Sequence, residues 1–343
     1  MIVIIMNEER QTTIKDVANR ADVSIATVSR VINHVGRVKP HLRDRVMKAA
    51  QELHYVPNNV ARSLKSYRTA SIAYVISNIS DPFFTTIARG IENYIQESGY
   101  NLILCSTGHS REREAEQLKL LVEKKVDGII INTSGFNDDM ICEISRQLPV
   151  VLSNRRIDSP GFVGDFVDTD NVGSAYELTR RLLHRGYSRI GIINGPLHVS
   201  TTKERFRGFC MAMSEAGITV DENYIYRYNE NFSEQSGYNG AKYLLSLDPP
   251  PQALMICSSA LAFGAMQYFT EAGISVPDEL SFVCLGDLIH RDLLRSIPTV
   301  ASVNLMDMGN KMGELLLERV QSESFIPNRE IRFSSTYLDG NSV

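Results

Sequence analysis

Two kinds of residue cluster in this 343-residue chain could do recognition chemistry. The first is Ser24-Ile25-Ala26-Thr27, with Ser29 and Arg30 one turn further on. Small and hydroxylated residues in the first turn of a helix let its backbone come close to a polyanion and bond phosphates. Ile25 and Ala26 offer apolar contact to thymine methyls. Arg30 is placed to bond guanine in bidentate fashion, worth ~1–3 kcal/mol of discrimination. The bland readings are a core role for Ile25 and a surface ion pair for Arg30. Ile25, however, lies off the apolar stripe Val28–Val31–Ile32, so groove contact is the better reading.

The second cluster is a set of polar tails on apolar runs: SNISDPFF (77–84), STG (106–108), NTSG (132–135), SNRR (153–156), NGP (194–196), CSS (257–259) and LGD (285–287). Ligands in open α/β sheets bind outside the carboxyl ends of strands. Hydroxyls, amides and a few charges at such ends suit a polar small molecule. Phe83 is a candidate to stack on a sugar or base ring. Phe84 belongs to its helix's apolar stripe and reads as core.

The elements that position the first cluster are two short helices. Thr13 caps one, with Asp16 in the first turn where the helix dipole favours an anion. Val17 and Ala18 face a core, Ala21-Asp22-Val23 turns, and Ser24 caps a second helix running to about Asn33. The pair is a helix-turn-helix, whose second helix enters the DNA major groove. A third helix spans about His41 to His54, with Pro40 at its start and Leu42, Val46, Ala49, Ala50 and Leu53 as its stripe. After Pro57, Asn58 or Asn59 caps a short helix through Lys65, too short to be stable alone in water. Leu64 between Arg62 and Lys65 reads as a minor-groove wedge or as a contact against the next domain.

From Ser71 on, continuous β-branched runs alternate with amphipathic stretches, which means buried parallel strands between helices. SIAYVIS precedes a helix carrying Phe84, Ile87, Ile91 and Ile95. NLILCS precedes one carrying Leu118, Leu121 and Val122. GIIIN, VVLSN, RIGIIN, ALMICS and SFVCL continue the rhythm. There are too many units for one modest sheet, so two doubly wound lobes are expected.

The net charge of −4 hides an asymmetry. Residues 10–68 hold twelve Lys/Arg against four Asp/Glu, a balance of +8; the rest holds 24 against 36, a balance of −12. A basic head on an acidic body points the head at a polyanion. The five cysteines are scattered, odd in number and without CxxC, and read as free thiols in a reducing cytoplasm. MIVIIMNEER lacks a basic leader and a cleavage site. It reads as a disordered end or an early start codon with Met6 as the true start. No GxSxG, P-loop, GxGxxG or HExxH occurs, and the seven histidines never pair at metal-ligand spacing. An enzyme is therefore a weak second class, and no cofactor or metal is expected. A transport binding protein would need an export signal and no basic head.

TIKDVANRADVSIATVSRVIN, then YVPNNVARSLKS, then ISDPFFTTIARGIE, resembles the lactose-repressor family of bacterial transcription regulators from Thr12 to the C-terminus. The resemblance implies an all-α helix-turn-helix head (1–56), a hinge helix and linker (57–68), and an α/β core of two doubly wound parallel-sheet lobes (69–343). The core is built like periplasmic sugar-binding proteins, with crossovers near Asp168, Pro298 and Ser334. It also implies a cytoplasmic homodimer on a pseudo-palindromic double-stranded DNA operator, controlled by a small-molecule effector, with room for a protein corepressor. Its DNA contacts fall on Thr13, Ser24, Ile25, Ala26, Thr27, Ser29, Arg30, Asn33, Asn59, Ala61, Arg62, Leu64 and Lys65, with Leu64 matching the leucine that opens a central CpG step. Its effector contacts fall on Asp81, Phe83, Asn154, Arg155, Arg205, Ser258 and Asp287. Arg205, in ERFRGF, matches the arginine that clamps effector oxygens. The family's Asn-Asp after ALMIC is Ser258-Ser259 here, and its double aspartate is Gly286-Asp287. Fewer acids beside Arg155, Arg156 and Arg205 point to an effector carrying negative charge, such as a sugar phosphate or sugar acid. A neutral sugar is the alternative.

Overall fold

Twelve strands and eleven helices carry the two sets of side chains in a computed structural model, which describes residues 12–32, 36–55, 69–157, 159–227 and 232–343. Asn33, Asn59, Ala61, Arg62, Leu64 and Lys65, the hinge helix and the first eleven residues lie outside the described residues. The chain divides into two compact units between Thr69 and Ala70.

The first unit is three helices, α1 (Ile14–Ala21), α2 (Ile25–Ile32) and α3 (Pro40–Glu52). Thr13 and Asp16 close a reciprocal capping box on α1, with Thr13 N donating to Asp16 Oδ2 at 2.8 Å. Asp22 stops α1 in the left-handed region, φ 47°. Arg45 of α3 ties that turn down, its Nη2 donating to Ala21 O at 2.6 Å and to Asp22 Oδ2 at 3.1 Å. The core is small: Val17, Ala18, Ala21, Val28, Val31, Val46, Ala49 and Ala50 are buried, with Ile14, Val23, Ile32, Leu53 and Tyr55 packed around them. α3 stops at Glu52 rather than His54. Leu53 N still bonds Ala49 O, and His54 already has a left-handed φ of 46°.

The second unit holds two six-stranded sheets. The first lobe is built from β1 (Ser71–Ile76), α4 (Pro82–Glu97), β2 (Asn101–Ser106), α5 (Arg111–Glu123), β3 (Gly128–Ile131), α6 (Asp138–Ser145), β4 (Val150–Ser153) and β5 (Asp165–Thr169). The second is built from α7 (Asn171–His184), β6 (Ile190–Asn194), α8 (Ser200–Glu215), β7 (Ile225–Arg227), α9 (Glu234–Leu245), β8 (Ala253–Ile256), α10 (Ser259–Glu271), β9 (Ser281–Leu285) and β10 (Thr299–Ser302). α11 (Leu305–Gln321) and β11 (Glu330–Phe333) return to the first lobe, and β12 (Thr336–Leu338) ends in the second. The strand orders are β11-β5-β4-β3-β1-β2 and β12-β10-β9-β8-β6-β7, all neighbours parallel except the β10–β12 pair.

The chain thus crosses between lobes after Thr169, between Ser302 and Leu305, and between Phe333 and Thr336. The second crossing falls past Pro298, because β10 follows that proline and still belongs to the second sheet. The strands β3, β4, β6, β8 and β9 are buried along their whole length, as continuous apolar runs require. On α5, Leu118 and Leu121 are buried but Val122 is 42% exposed. One residue past Leu121 is a 100° step off the buried face. α4 and α11 cross so closely that a Cβ on Gly90 would lie 2.3 Å from Met306 O. All five cysteines are free thiols.

Candidate functional site

The described part of the first unit presents one open face on α2. Ser24 Oγ accepts from Thr27 N at 3.2 Å and shares a hydrogen bond with Thr27 Oγ1 at 2.9 Å, fixing the first turn. Val28 and Val31 point inward. Ser24, Ile25, Ala26 and Arg30 are exposed, and Thr27 and Ser29 are half-buried. Ile25 is 43% exposed, which excludes the core role weighed for it. Arg30 joins no ion pair among the described residues. Thr13 sits at the start of α1, its hydroxyl donating to Asp16 Oδ2 at 2.6 Å.

In the second unit, the carboxyl ends of the two sheets wall a cavity of about 670 Å³, within the range of small-molecule sites. All seven residues expected to contact an effector line it: Asp81, Phe83, Asn154 and Arg155 from the first lobe, and Arg205, Ser258 and Asp287 from the second. His109, Thr169, Asn171, Thr201, Phe232, Arg291 and Ser335 line it too.

Two arginines dominate. Arg155 is 6% exposed, and its Nη1 donates to Thr133 O at 2.9 Å. Arg205 Nε donates to Asn171 Oδ1 at 2.9 Å and its Nη1 to Cys257 O at 2.6 Å. The two guanidiniums stand 5.8 and 5.9 Å from the centre of the Phe232 ring. That ring fits because position 195 is glycine: a Cβ there would come 2.1 Å from it. Burial, followed by repulsion from Arg205, pulls the Arg155 guanidinium down to about 10. Burial also lowers Arg205. Neither joins an ion pair among the described residues.

The surrounding polar groups have specific jobs. Asp81 caps α4, its Oδ1 accepting from Phe83 N at 2.9 Å, and burial raises its carboxyl above the usual range. Ser258 caps α10, accepting from Leu261 N at 3.2 Å. Asp287 Oδ2 accepts from Ser302 Oγ at 3.2 Å. Asn154 adopts φ 59°, and its buried Oδ1 has no hydrogen-bond partner among the described residues. Behind Arg205, Asn171 Nδ2 donates to Asp168 Oδ1 at 3.1 Å and to Glu204 Oε2 at 3.1 Å. Burial and then the Glu204 charge push Asp168 up to about 7. His109 is pulled down to about 4 by burial and then by the Arg155 charge.

Arg156 is not part of the cavity lining. It pairs with Glu330 at 2.5 Å and lies 4.6 Å over the Phe166 ring. Phe84, 6% exposed, lies in the first lobe's core cluster, and its ring meets that of Phe83 edge-on at 5.1 Å. His109 and Phe232 were missed from sequence. His109 directly follows STG, one of the strand ends already singled out. Phe232 carries no local signal. Among the described residues no cluster of three His, Cys, Asp or Glu side chains is placed to hold a metal ion. No described helix is long and apolar enough to cross a membrane.

Residues 13–58 match the model for bacterial regulatory proteins of the lacI family. Residues 69–334 match the model for periplasmic binding proteins and the sugar binding domain of the LacI family. The chain is 32% identical over 314 residues to the HTH-type transcriptional repressor PurR of Photobacterium profundum, covering 91% of this chain and 93% of the relative. It is 36% identical over 303 residues to the HTH-type transcriptional regulator DegA of Bacillus subtilis, covering 87% and 88%. Among solved structures it is similar to the transcriptional regulator CelR–cellobiose complex, at TM-score 0.72 and 27% identity over 97% of this chain and 100% of that one.

Proposed function

Because the chain belongs to the LacI family of bacterial regulatory proteins, and is thus a DNA-binding transcriptional repressor with a ligand-binding domain, we propose that a small polar metabolite with an anionic group sets its affinity for a pseudo-palindromic operator. A sugar acid or sugar phosphate fits this description. The observation that carries the reading is the cavity wall: Arg155 and Arg205 flank one aromatic ring, and among the described residues no carboxylate forms an ion pair with either. Arginine recognises carboxylate and phosphate through charge-assisted bonds. The cellobiose held by the similar CelR structure favours a polyhydroxylated ligand, and the hydroxyls and amides around the cavity suit one.

On DNA, two copies of α2 from a cytoplasmic homodimer enter successive major grooves about one turn apart. Ile25, Ala26 and Arg30 read base edges, while Thr13, Ser24, Thr27 and Ser29 hold the backbone. Closure of the lobes around the effector changes how the two heads are presented. Effector and operator affinities are therefore coupled, and the coupling is reciprocal.

The test is a thermal-shift screen of matched neutral and anionic sugars, followed by operator binding with and without each hit. A bound ligand raises the melting temperature by mass action, by ~2.7 kcal/mol at a hundredfold excess over its dissociation constant. Anionic hits that change operator affinity support the reading. Equal affinity for charged and neutral partners of each pair overturns the anionic class. No hit among metabolites directs the search to a protein corepressor.

A further inference from the structure

We propose that His109 is the charge-state selector of the cleft: it takes up a proton when an anion settles against Arg155 and Arg205, so that effector affinity rises as pH falls. This rests on the anionic-effector reading above and adds a residue and a regulation to it.

His109 sits on the turn after β2 with φ 62°, in the wall of the same cavity as the two arginines. The partners of those arginines are uncharged oxygens: Thr133 O for Arg155, and Asn171 Oδ1 and Cys257 O for Arg205. The charge that acts on His109 is Arg155 on the loop after β4, and Arg113 of α5 lies beside the neighbouring Gly108, its Nη1 3.1 Å from where a Cβ there would stand. Asp81 and Arg205 share its cavity, as do Asp287, Arg291 and Asp292 on the second lobe. Asp81 is committed to capping α4 through Phe83 N. In the free protein, then, a half-buried imidazole faces Arg155 and stays neutral, its value held to about 4. An anion inserted among these groups reverses the local field and favours the imidazolium.

A second observation points to the ligand. Asn154, 7% exposed, lines the same cavity with an Oδ1 that has no partner among the described residues. Leaving a buried acceptor unmade is costly unless a ligand supplies a donor. The site therefore fits an anion that also carries a hydroxyl, as a sugar acid does.

The linkage has a definite sign. The bound complex holds His109 at a higher value than the free protein, so binding takes up protons between the two values. Over that interval affinity rises by up to about tenfold for each unit that pH falls. A phosphate monoester titrates itself near pH ~6. Sulfate and a hexuronate keep constant charge above pH ~5 and isolate the protein's contribution.

The experiment follows the histidine Cε1 resonances of the full chain from pH 4 to 8.5, without and with saturating sulfate, with His109 assigned by His109→Asn. Asparagine tolerates the left-handed backbone at this position. Calorimetry of sulfate and hexuronate binding between pH 5.5 and 8.5 accompanies it, on wild type, His109→Asn and Arg205→Ala. The expected result is a His109 titration displaced upward by roughly 2.5 units in sulfate. Wild-type affinity should drop about tenfold between pH 5.5 and 7.5, with a shallower profile in His109→Asn, where only Asp168 behind Arg205, at about 7, still titrates. If both anions bind and depend on Arg205, yet the His109 titration does not move and the wild-type profile follows that of His109→Asn, the selector role is wrong and the anionic cleft stands. If neither anion binds at any pH, the anionic reading falls and takes this inference with it.

Discussion

The α2 face and the cleft both offer arginine to an anion, at opposite extremes of burial. Arg30 is exposed beside an Ile25 that is itself 43% exposed, on a unit whose core is eight small or β-branched side chains. Arg155 is 6% exposed and lies in a wall between two six-stranded sheets. An exposed arginine contributes little by charge alone, because water and salt screen it. The value proposed for it on DNA comes from the fork geometry that matches guanine. A buried, unpaired arginine has already lost its hydration, so the charge of the ligand itself becomes the selective element. On the proposed reading, the head discriminates by shape and the cleft by charge.

The sharpest way to break that contrast is Arg205→Ala. Removing one of two desolvated guanidiniums should cost ~3 kcal/mol or more of effector affinity, over a hundredfold by calorimetry, and abolish the effector response while bare operator binding remains. A full response at unchanged effector concentration would remove Arg205 from the site. Arg30→Ala comes next, with an expected loss of ~1–3 kcal/mol on the selected operator and a much smaller one on random duplex. Fluorescence anisotropy on both duplexes reads this directly, and equal losses would mean that Arg30 contacts phosphate only.

A smaller effect tests the size of the two cores. Val28→Ala deletes two methyl groups from the head's cluster and should cost about 1.5 kcal/mol there, seen as a lower head transition in calorimetry with the body transition unmoved. A variant head as stable as wild type would contradict the packing of Val28.

The smallest expected effect is on body stability against pH, because two groups oppose each other. Asp168 rises from 3.8 to about 7 in the fold. Its contribution is fully present below 3.8 and is lost as pH rises through about 7. His109 falls from 6.5 to about 4. Its contribution is present above 6.5 and is lost as pH falls through about 4. Between about 4 and 6.5 the slopes cancel in part. Asp168→Asn should leave urea midpoints of the body rising with pH over that window, and His109→Asn should leave them falling. Two variants that both track wild type would contradict these environments.

Local pattern carried much of the architecture. The helices of the head follow from Thr13, Ser24 and Pro40 as start signals and from valine and alanine stripes, and they appear within a residue or two of expectation. The apolar strands were equally plain. β5, reading Asp165-Phe166-Val167-Asp168-Thr169, was not, because a strand with two carboxylates looks like a loop. Asp165 is fully buried only because Arg319 and Arg329, more than 150 residues away in sequence, bond both its oxygens at 2.7–3.1 Å.

The sequence by itself determined the helix-turn-helix with its open α2 face, the alternating α/β body and the strand ends where a ligand would sit. Each depends on spacings of two to four residues, over which backbone periodicity fixes direction. The tertiary structure alone decided which polar side chains share one cavity: Arg155 but not Arg156, His109 after its strand, Phe232 over Gly195. That cavity exists because the chain crosses three times between two sheets, and whether a strand-end side chain faces it is set by contacts with residues far along the chain.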